Sequence, residues 1–368
     1  MRSGRRGLLR VLLAIDGLGP GGAERQFHML CEGLAGRADV AVWALHGGPY
    51  ARLIEDLGVR LVKAPGGGRD PFGAIRSAFS LASGFHPSVI HSWGWVSACL
   101  MCLPARESGI AHVTGLVRMG TLPRRKRARL MLAARLGDLC IGNSASGLSA
   151  WRIPERKARL IRNGFDARRV GGVRAAPGSH ARFGCVMAGS MSGHKDFATL
   201  IDAAAMLERE HPGRFRFDLL GDGPDRESLE ERARTGGGFP ALCFHGRTDD
   251  SMPYLSGADA GILLSPLGEG MSNFLMECMA AGLPVVCTEG GGNSELVRDT
   301  LDGWMVPQRD ARALADRLLA MASDPALCAR AGESGRARVL GEFSTRRMLD
   351  ATLAVYGEAV SRRAPDGR

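Results

Sequence analysis

The chain has 368 residues, 45% of them hydrophobic, which is more than one ordinary core needs and excludes a disordered polypeptide. Its net charge of +10 is uneven: residues 1–170 hold 26 Lys+Arg against 11 Asp+Glu, and residues 171–368 hold 22 against 27. The 9 cysteines carry no second ligand pair at zinc spacing, Cys99 and Cys102 included, and scattered thiols of this kind suit a reducing cytosol.

In chain order, Arg10–Ile15, Val40–Leu45, Arg60–Lys63, Ser88–His91, His112–Leu116 and Leu139–Ile141 read as strands. Helical stretches lie between them at Ala23–Leu34, Tyr50–Leu57, Pro71–Ser83, Val96–Leu103 and Pro123–Leu136. Gly171–Ser179 is rich in Gly, Ala and Pro and reads as a linker. The second half repeats the pattern, with strands at Cys185–Ala188, Arg216–Leu220, Ala241–His245, Ala260–Ser265 and Pro284–Thr288. Its helices are predicted at Asp196–Arg209, Asp225–Thr235, Met252–Gly257, Asn293–Arg298, Ala311–Ala322 and Thr345–Val360. Strand-helix alternation in both halves predicts an α/β fold of two Rossmann-like, doubly wound domains facing a cleft. The expected domains are 1–170 and 180–345, followed by a C-terminal helix and tail over 346–368.

The basic start, Met1–Arg10, precedes Val-Leu-Leu-Ala-Ile and mimics a leader, but the apolar run stops at Asp16 without a cleavage context, so a first buried strand is the better reading. No apolar run is long enough to span a bilayer. The run Arg124-Arg-Lys-Arg-Ala-Arg129, followed by Leu130, Met131, Leu132 and Leu136, suits a basic amphipathic helix on an anionic membrane, or an ordinary solvated face. Nothing interleaves aromatics with basic residues, so nucleic acid is not an expected partner.

Chemistry concentrates in Glu269-Gly-Met-Ser-Asn-Phe-Leu-Met-Glu277-Cys-Met-Ala-Ala-Gly282-Leu-Pro284. Ser272 or Asn273 caps a short helix that Gly282 and Pro284 stop, and Glu277 lies about one turn in. A helix start offers free N–H groups to an anion such as a diphosphate, and a carboxylate there can accept two ribose hydroxyls. Two solvated acids on a capped surface helix are the alternative. Ala188-Gly-Ser-Met-Ser-Gly-His-Lys195 places a cation at a helix entry after a strand, where it neutralises charge on a leaving diphosphate or is merely solvated. Gly17-Leu-Gly-Pro-Gly21-Gly22-Ala-Glu24-Arg25 is a tight turn or a ligand loop. Gly221-Asp-Gly-Pro224 and Asn143-Ser144 follow strands and Asn163-Gly-Phe-Asp166 precedes the linker, and each is built of turn formers. His91, in Val-Ile-His-Ser-Trp-Gly-Trp, is a core histidine or a sugar ligand, with Trp93 or Trp95 packing or stacking beside it.

In series and in order, these elements resemble those of the retaining family 4 glycosyltransferases, which have the GT-B fold, over residues of about 10–345. The family's E-G-[FM]-[PS]-N-x-x-x-E-A-M-A-x-G-x-P-V-V signature is matched except at Cys278, where Ala is usual. The resemblance implies a nucleotide-diphosphate sugar donor, UDP- or GDP-linked, held by Gly21, Gly22, Lys195, Gly221, Gly270, Met271, Ser272, Asn273 and Glu277. It implies that Glu269 contacts the transferred sugar. Gly290-Gly-Gly-Asn-Ser-Glu295 would back that pocket, with Glu295 structural or supporting the residues that touch the ligand.

Two further positions depart from the family. Ser190 stands where a basic residue often follows the strand, and Arg118 stands where many relatives have His. Arg118 and His91 would face the acceptor. The chemistry implied is same-face displacement assisted by the leaving phosphate, with no metal and no cofactor beyond the donor. The expected product is a glycan on a lipid-linked or polysaccharide acceptor, made in the cytoplasm or peripherally on the inner membrane. The alternatives are a sugar-nucleotide epimerase or a degenerate nucleotide-sugar-binding protein on the same fold.

Overall fold

The structure is a computed structural model that describes residues 8–116, 124–171, 181–237, 241–266 and 269–363. The chain divides into two compact units, Met1–Gly164 with Thr345–Arg368, and Phe165–Ser344. Each is a three-layer α/β domain built on one wholly parallel sheet.

In the first unit, strands β1 (Arg10–Gly17), β2 (Asp39–His46), β3 (Arg60–Lys63), β4 (Val89–Trp93), β5 (Ala111–Leu116), β6 (Leu139–Gly142) and β7 (Ala158–Leu160) are joined by helices. These are α1 (Gly22–Leu34), α2 (Tyr50–Asp56), α3 (Pro71–Phe85), α4 (Trp95–Glu107), α5 (Arg124–Leu136) and α6 (Ala145–Ala150). The sheet order is β3-β2-β1-β4-β5-β6-β7, so the winding reverses between β1 and β4. Val11, Leu13 and Ile15 of β1 pack one face and Leu12 and Ala14 the other, as a strand buried on both faces requires.

The second unit contains β8 (Phe183–Ala188), α7 (Phe197–Glu210), β9 (Phe215–Leu220), α8 (Arg226–Thr235), β10 (Leu242–Gly246), α9 (Met252–Ser256), β11 (Ala260–Leu263), α10 (Asn273–Ala281), β12 (Val285–Thr288), α11 (Asn293–Leu296), β13 (Gly303–Val306), α12 (Ala311–Ser323) and α13 (Pro325–Glu342). Its order is β10-β9-β8-β11-β12-β13, reversing between β8 and β11.

The last helix, α14 (Thr345–Ser361), belongs to the first unit. Met348, Leu349, Val355 and Tyr356 join the core formed by β1 and α1, and Arg159 pairs with Glu358 at its far end. Phe165–Val170, expected at the end of the first domain, lie in the second unit instead. Phe165 N–H donates to Phe343 O at 2.6 Å, and both Phe165 and Val170 enter that unit's core. Of the expected linker only Gly171 is among the described residues.

Strands β7 and β13 and helices α6 and α13 add to the expected elements, and α11 stops at Leu296, short of Arg298.

Candidate active site

In an open parallel sheet, loops at the carboxyl ends of the strands flanking the reversal diverge and leave a crevice for ligand. In the second unit those strands are β8 and β11, and the loops after them carry Lys195 and Glu269. The two side chains form an ion pair, with Lys195 14% and Glu269 30% exposed. Lys195 reaches it by lying across Gly189, where a Cβ would meet the lysine stem at 3.0–3.1 Å. Asp196 caps α7 by accepting from Thr199 N at 3.1 Å, and its own N–H donates to Leu264 O at 3.0 Å, which ties the lysine loop to the end of β11.

Neighbouring glycines fix these loops. Gly221 has φ +136°, and a Cβ there would lie 1.9 Å from Gly189 O; its N–H donates to Gly246 O at 2.7 Å. A Cβ on Gly292 would fall 2.5 Å from the Gly270 carbonyl carbon, and Gly292 N–H donates to Glu269 O at 2.6 Å. The Gly290–Gly292 turn therefore backs the Glu269 loop. Next to it Asn293 is fully buried, with neither side-chain polar atom partnered among the described residues.

Ser272 caps α10, its Oγ accepting from Leu275 N at 3.3 Å, and Gly282 closes the helix in the left-handed region at φ +87°. Glu277 is 4% exposed, so it is not a solvated surface acid. Ser251 Oγ donates to its Oε2 at 2.7 Å, and Arg169 Nη2 lies 3.3 Å from its Oε1. Arg169 is presented by the turn after Asn163-Gly-Phe-Asp166, where Asp166 Oδ1 accepts from Arg168 N at 2.9 Å. Met271 is buried, and Ser190 is exposed. Ser251 and Arg169 were missed as partners of Glu277; the Asn-Gly-x-Asp turn is the signal that points to Arg169.

In the first unit, β1 and β4 flank the reversal. The Gly17–Gly22 loop follows β1, with Gly21 as the N-cap of α1 and the Glu24 carboxylate folded over it. Asp16 caps α4, accepting from Ser97 N at 2.7 Å and Val96 N at 3.3 Å.

His91 is 1% exposed. Trp93 Nε1–H donates to its Nδ1 at 3.3 Å, and the Tyr356 hydroxyl lies 2.7 Å from the same nitrogen. Because an indole only donates, Nδ1 is the acceptor and the proton sits on Nε2, which has no partner among the described residues. Burial, and then neighbouring His112, push the His91 pKa down to about 3. His91 lines a small cavity of about 30 Å³ with Trp93, Asn143, Asn163, Met348 and Thr352. Trp93 packs edge-on against Phe27 at 5.7 Å, and Trp95 lies under Arg129. Arg118 lies outside the described residues, as do the side chains of Arg124–Arg127.

Two family models match the chain: "Glycosyltransferase Family 4" over residues 20–169 and "Glycosyl transferases group 1" over residues 182–324. The chain belongs to glycosyltransferase family 4. The first match begins just after β1 and runs to residue 169, and the second takes in the β8/β11 reversal.

The lipopolysaccharide core biosynthesis glycosyltransferase LpsE of Rhizobium meliloti is 34% identical over 201 residues, covering 54% of this chain and 57% of that protein. The putative colanic acid biosynthesis glycosyltransferase WcaL of Escherichia coli is 32% identical over 202 residues, covering 50% of this chain and 48% of that protein. The chain thus spans about half the length of these curated relatives. The crystal structure of Anabaena HepE in complex with UDP-glucose superposes with a TM-score of 0.82 at 19% identity, covering 96% of this chain and 100% of that one. The family 4 fold expected from the motifs, two Rossmann-like domains of the GT-B class, is the fold found.

Proposed function

We propose that the chain is a retaining glycosyltransferase that moves a sugar from a nucleotide-diphosphate donor to a glycan or lipid-linked acceptor in cell-surface polysaccharide synthesis. The observation that carries this reading is the Lys195–Glu269 pair at the β8/β11 reversal, with buried Glu277 on α10 in the same unit. Glu277 accepts the ribose hydroxyls, and the α10 N-terminus with Lys195 takes the diphosphate. Glu269 holds the transferred sugar. Charge on the leaving phosphate grows as the glycosidic bond breaks, so Lys195 contributes most in the transition state. A diphosphate competes with Glu269 for the ammonium, and binding frees that carboxylate to accept sugar hydroxyls.

HepE, whose fold matches, has been crystallised with UDP-glucose, which makes a UDP-sugar the first donor to try and a GDP-sugar the second. In this reading the Gly21-Gly22 loop serves both donor and acceptor, and His91 and Arg118 belong to the acceptor side. His91 is buried, so it acts there through the positions of Trp93 and Tyr356.

The basic helix α5, with Arg129 exposed and Leu132 and Leu136 exposed at 55% and 41%, is read as a docking face for an anionic membrane that carries the acceptor. No helix among the described residues is long and apolar enough to cross a membrane. The proposed reaction calls on no metal, since Lys195 and the helix N-terminus supply the positive field.

The deciding experiment is a melting-temperature screen against UDP-, GDP- and ADP-sugars, because a ligand that binds only the folded state raises the midpoint. A shift with one donor, followed by acceptor-dependent release of its nucleotide, supports transfer; product formed without acceptor would mean an epimerase or hydrolase instead.

A further inference from the structure

Strand β10 is an edge of the second sheet and runs parallel to β9, with Cys243 opposite Asp218. His245 is the extra residue of the irregularity where the β10–β9 register shifts between Phe244 and Gly246. The three side chains converge there. His245 Nε2 is 2.7 Å from Asp218 Oδ1, and the ligand atoms of all three lie within 4.8 Å of one another. Asp218 is 6% exposed, whereas Cys243 and His245 open to solvent, so an ion has a path in.

We propose that Asp218, Cys243 and His245 bind a divalent transition metal of the zinc class, with the fourth position left to water. Thiolate, imidazole and carboxylate are the ligand types zinc takes, and a sulfur ligand disfavours calcium and magnesium. Bonds of about 2.0–2.3 Å in a tetrahedron place ligand atoms roughly 3.3–3.7 Å apart, so side-chain rotations that move the donor atoms by about an ångström close the site. His245 and Asp218 exchange their mutual hydrogen bond for the metal, and the Cys243 thiol loses its proton to solvent as its sulfur binds.

The surroundings already orient the carboxylate. Arg216 Nε donates to the other oxygen, Asp218 Oδ2, at 3.0 Å, and Arg216 Nη2 donates to Gly257 O at 2.9 Å. This outer contact leaves Oδ1 directed at the site. The Tyr254 ring lies 4.7 Å from the His245 ring and flanks it. A bound ion would fasten the edge strand to its neighbour. None of these residues serves the proposed sugar transfer, so the inference stands or falls apart from that reading.

Cobalt(II) titration of the full chain, kept reduced by a non-thiol reagent, tests it. The expected result is stoichiometric uptake at micromolar metal with a thiolate-to-cobalt charge-transfer band, which one equivalent of zinc then bleaches. Cys243→Ser should abolish the band, His245→Gln should weaken uptake while keeping the thiol, and the double variant Cys99→Ser/Cys102→Ser should keep the band. Mapped alkylation of the unaltered protein gives a readout that needs no variant: zinc should slow modification of Cys243 but not of Cys99 or Cys102. Absence of a band, a band that survives Cys243→Ser, or alkylation of Cys243 indifferent to zinc would overturn the proposal.

Discussion

The Ser251 hydroxyl donates to Glu277 Oε2 at 2.7 Å across the loop that precedes α9, and Arg169 approaches Oε1 at 3.3 Å. One carboxylate is thus oriented by two groups from distant parts of the chain before any ligand arrives. In the proposed donor site that pre-orientation would lower the ordering cost of accepting ribose hydroxyls.

Glu277→Ala should weaken donor binding by about 1.5–3 kcal/mol, the range for hydrogen bonds to a charged group, and Ser251→Ala by about 1 kcal/mol. Calorimetry on variants whose far-ultraviolet dichroism is unchanged measures both. Equal affinity in wild type and Glu277→Ala would remove the carboxylate from the ribose site.

Lys195→Ala should lower kcat more than it raises KM, because its charge is needed most when the phosphate departs. It also releases Glu269 from its ion pair. A higher KM with unchanged kcat would assign Lys195 to ground-state binding alone.

Gly221→Ala should destabilise the second unit and disturb the Lys195 loop together. A side chain there meets Gly189 O at 1.9 Å and must also hold φ near +136°. Misfits of this kind cost on the order of 1–3 kcal/mol. Hydrogen exchange should loosen over residues 189–195 and 221–225; unchanged protection would contradict the packing described.

Buried histidines set an acid limit on the first unit. Burial pushes His91 down to about 3 and His112 down to about 4 from 6.5, so both are neutral when folded and protonate when unfolded. The unfolded state then binds more protons, and stability falls as pH drops through 6.5 toward the folded values. At pH 5 the loss is about 2 kcal/mol per histidine. Amide exchange over β4 and β5 should speed up between pH 7 and pH 5 beyond the intrinsic change, and less so in His112→Gln.

Most of this architecture is legible in the chain because both sheets are wholly parallel and covered on both faces, which writes their strands as continuous apolar runs. The strands that escape are at sheet edges: Ala158–Leu160 is half exposed, and Gly303–Val306 is four residues long and opens on a glycine. Helix α13 escapes for another reason. Its glycines depress helix propensity, yet a Cβ on Gly332 would strike Gly282 O at 2.0 Å, so that glycine lets α13 lie close to the end of α10. Glu269, Glu277 and Lys195 are visible from local spacing. The partners of Glu277 and His91 are not, because Ser251 is 26 residues from Glu277 and Tyr356 is 265 from His91, and only the folded chain brings them together.

Charge on α5 should govern membrane attachment. Each Lys or Arg near an anionic surface contributes about 1 kcal/mol, screened by salt. Replacing Arg124, Arg125, Lys126 and Arg127 with Gln should release the protein from anionic vesicles in flotation and leave activity on a soluble acceptor intact. Wild-type protein that fails to float at low salt would end the membrane reading.

Stereochemistry of the transferred sugar tests the central claim most directly. The protein would be incubated with the donor that stabilises it and a lipid-linked or oligosaccharide acceptor, and the new glycosidic linkage read by proton NMR. A new linkage with the donor's anomeric configuration, lost in Glu277→Ala and Lys195→Ala, is the predicted result. An inverted linkage, or a folded protein that binds donor but transfers to no acceptor of either class, would contradict it.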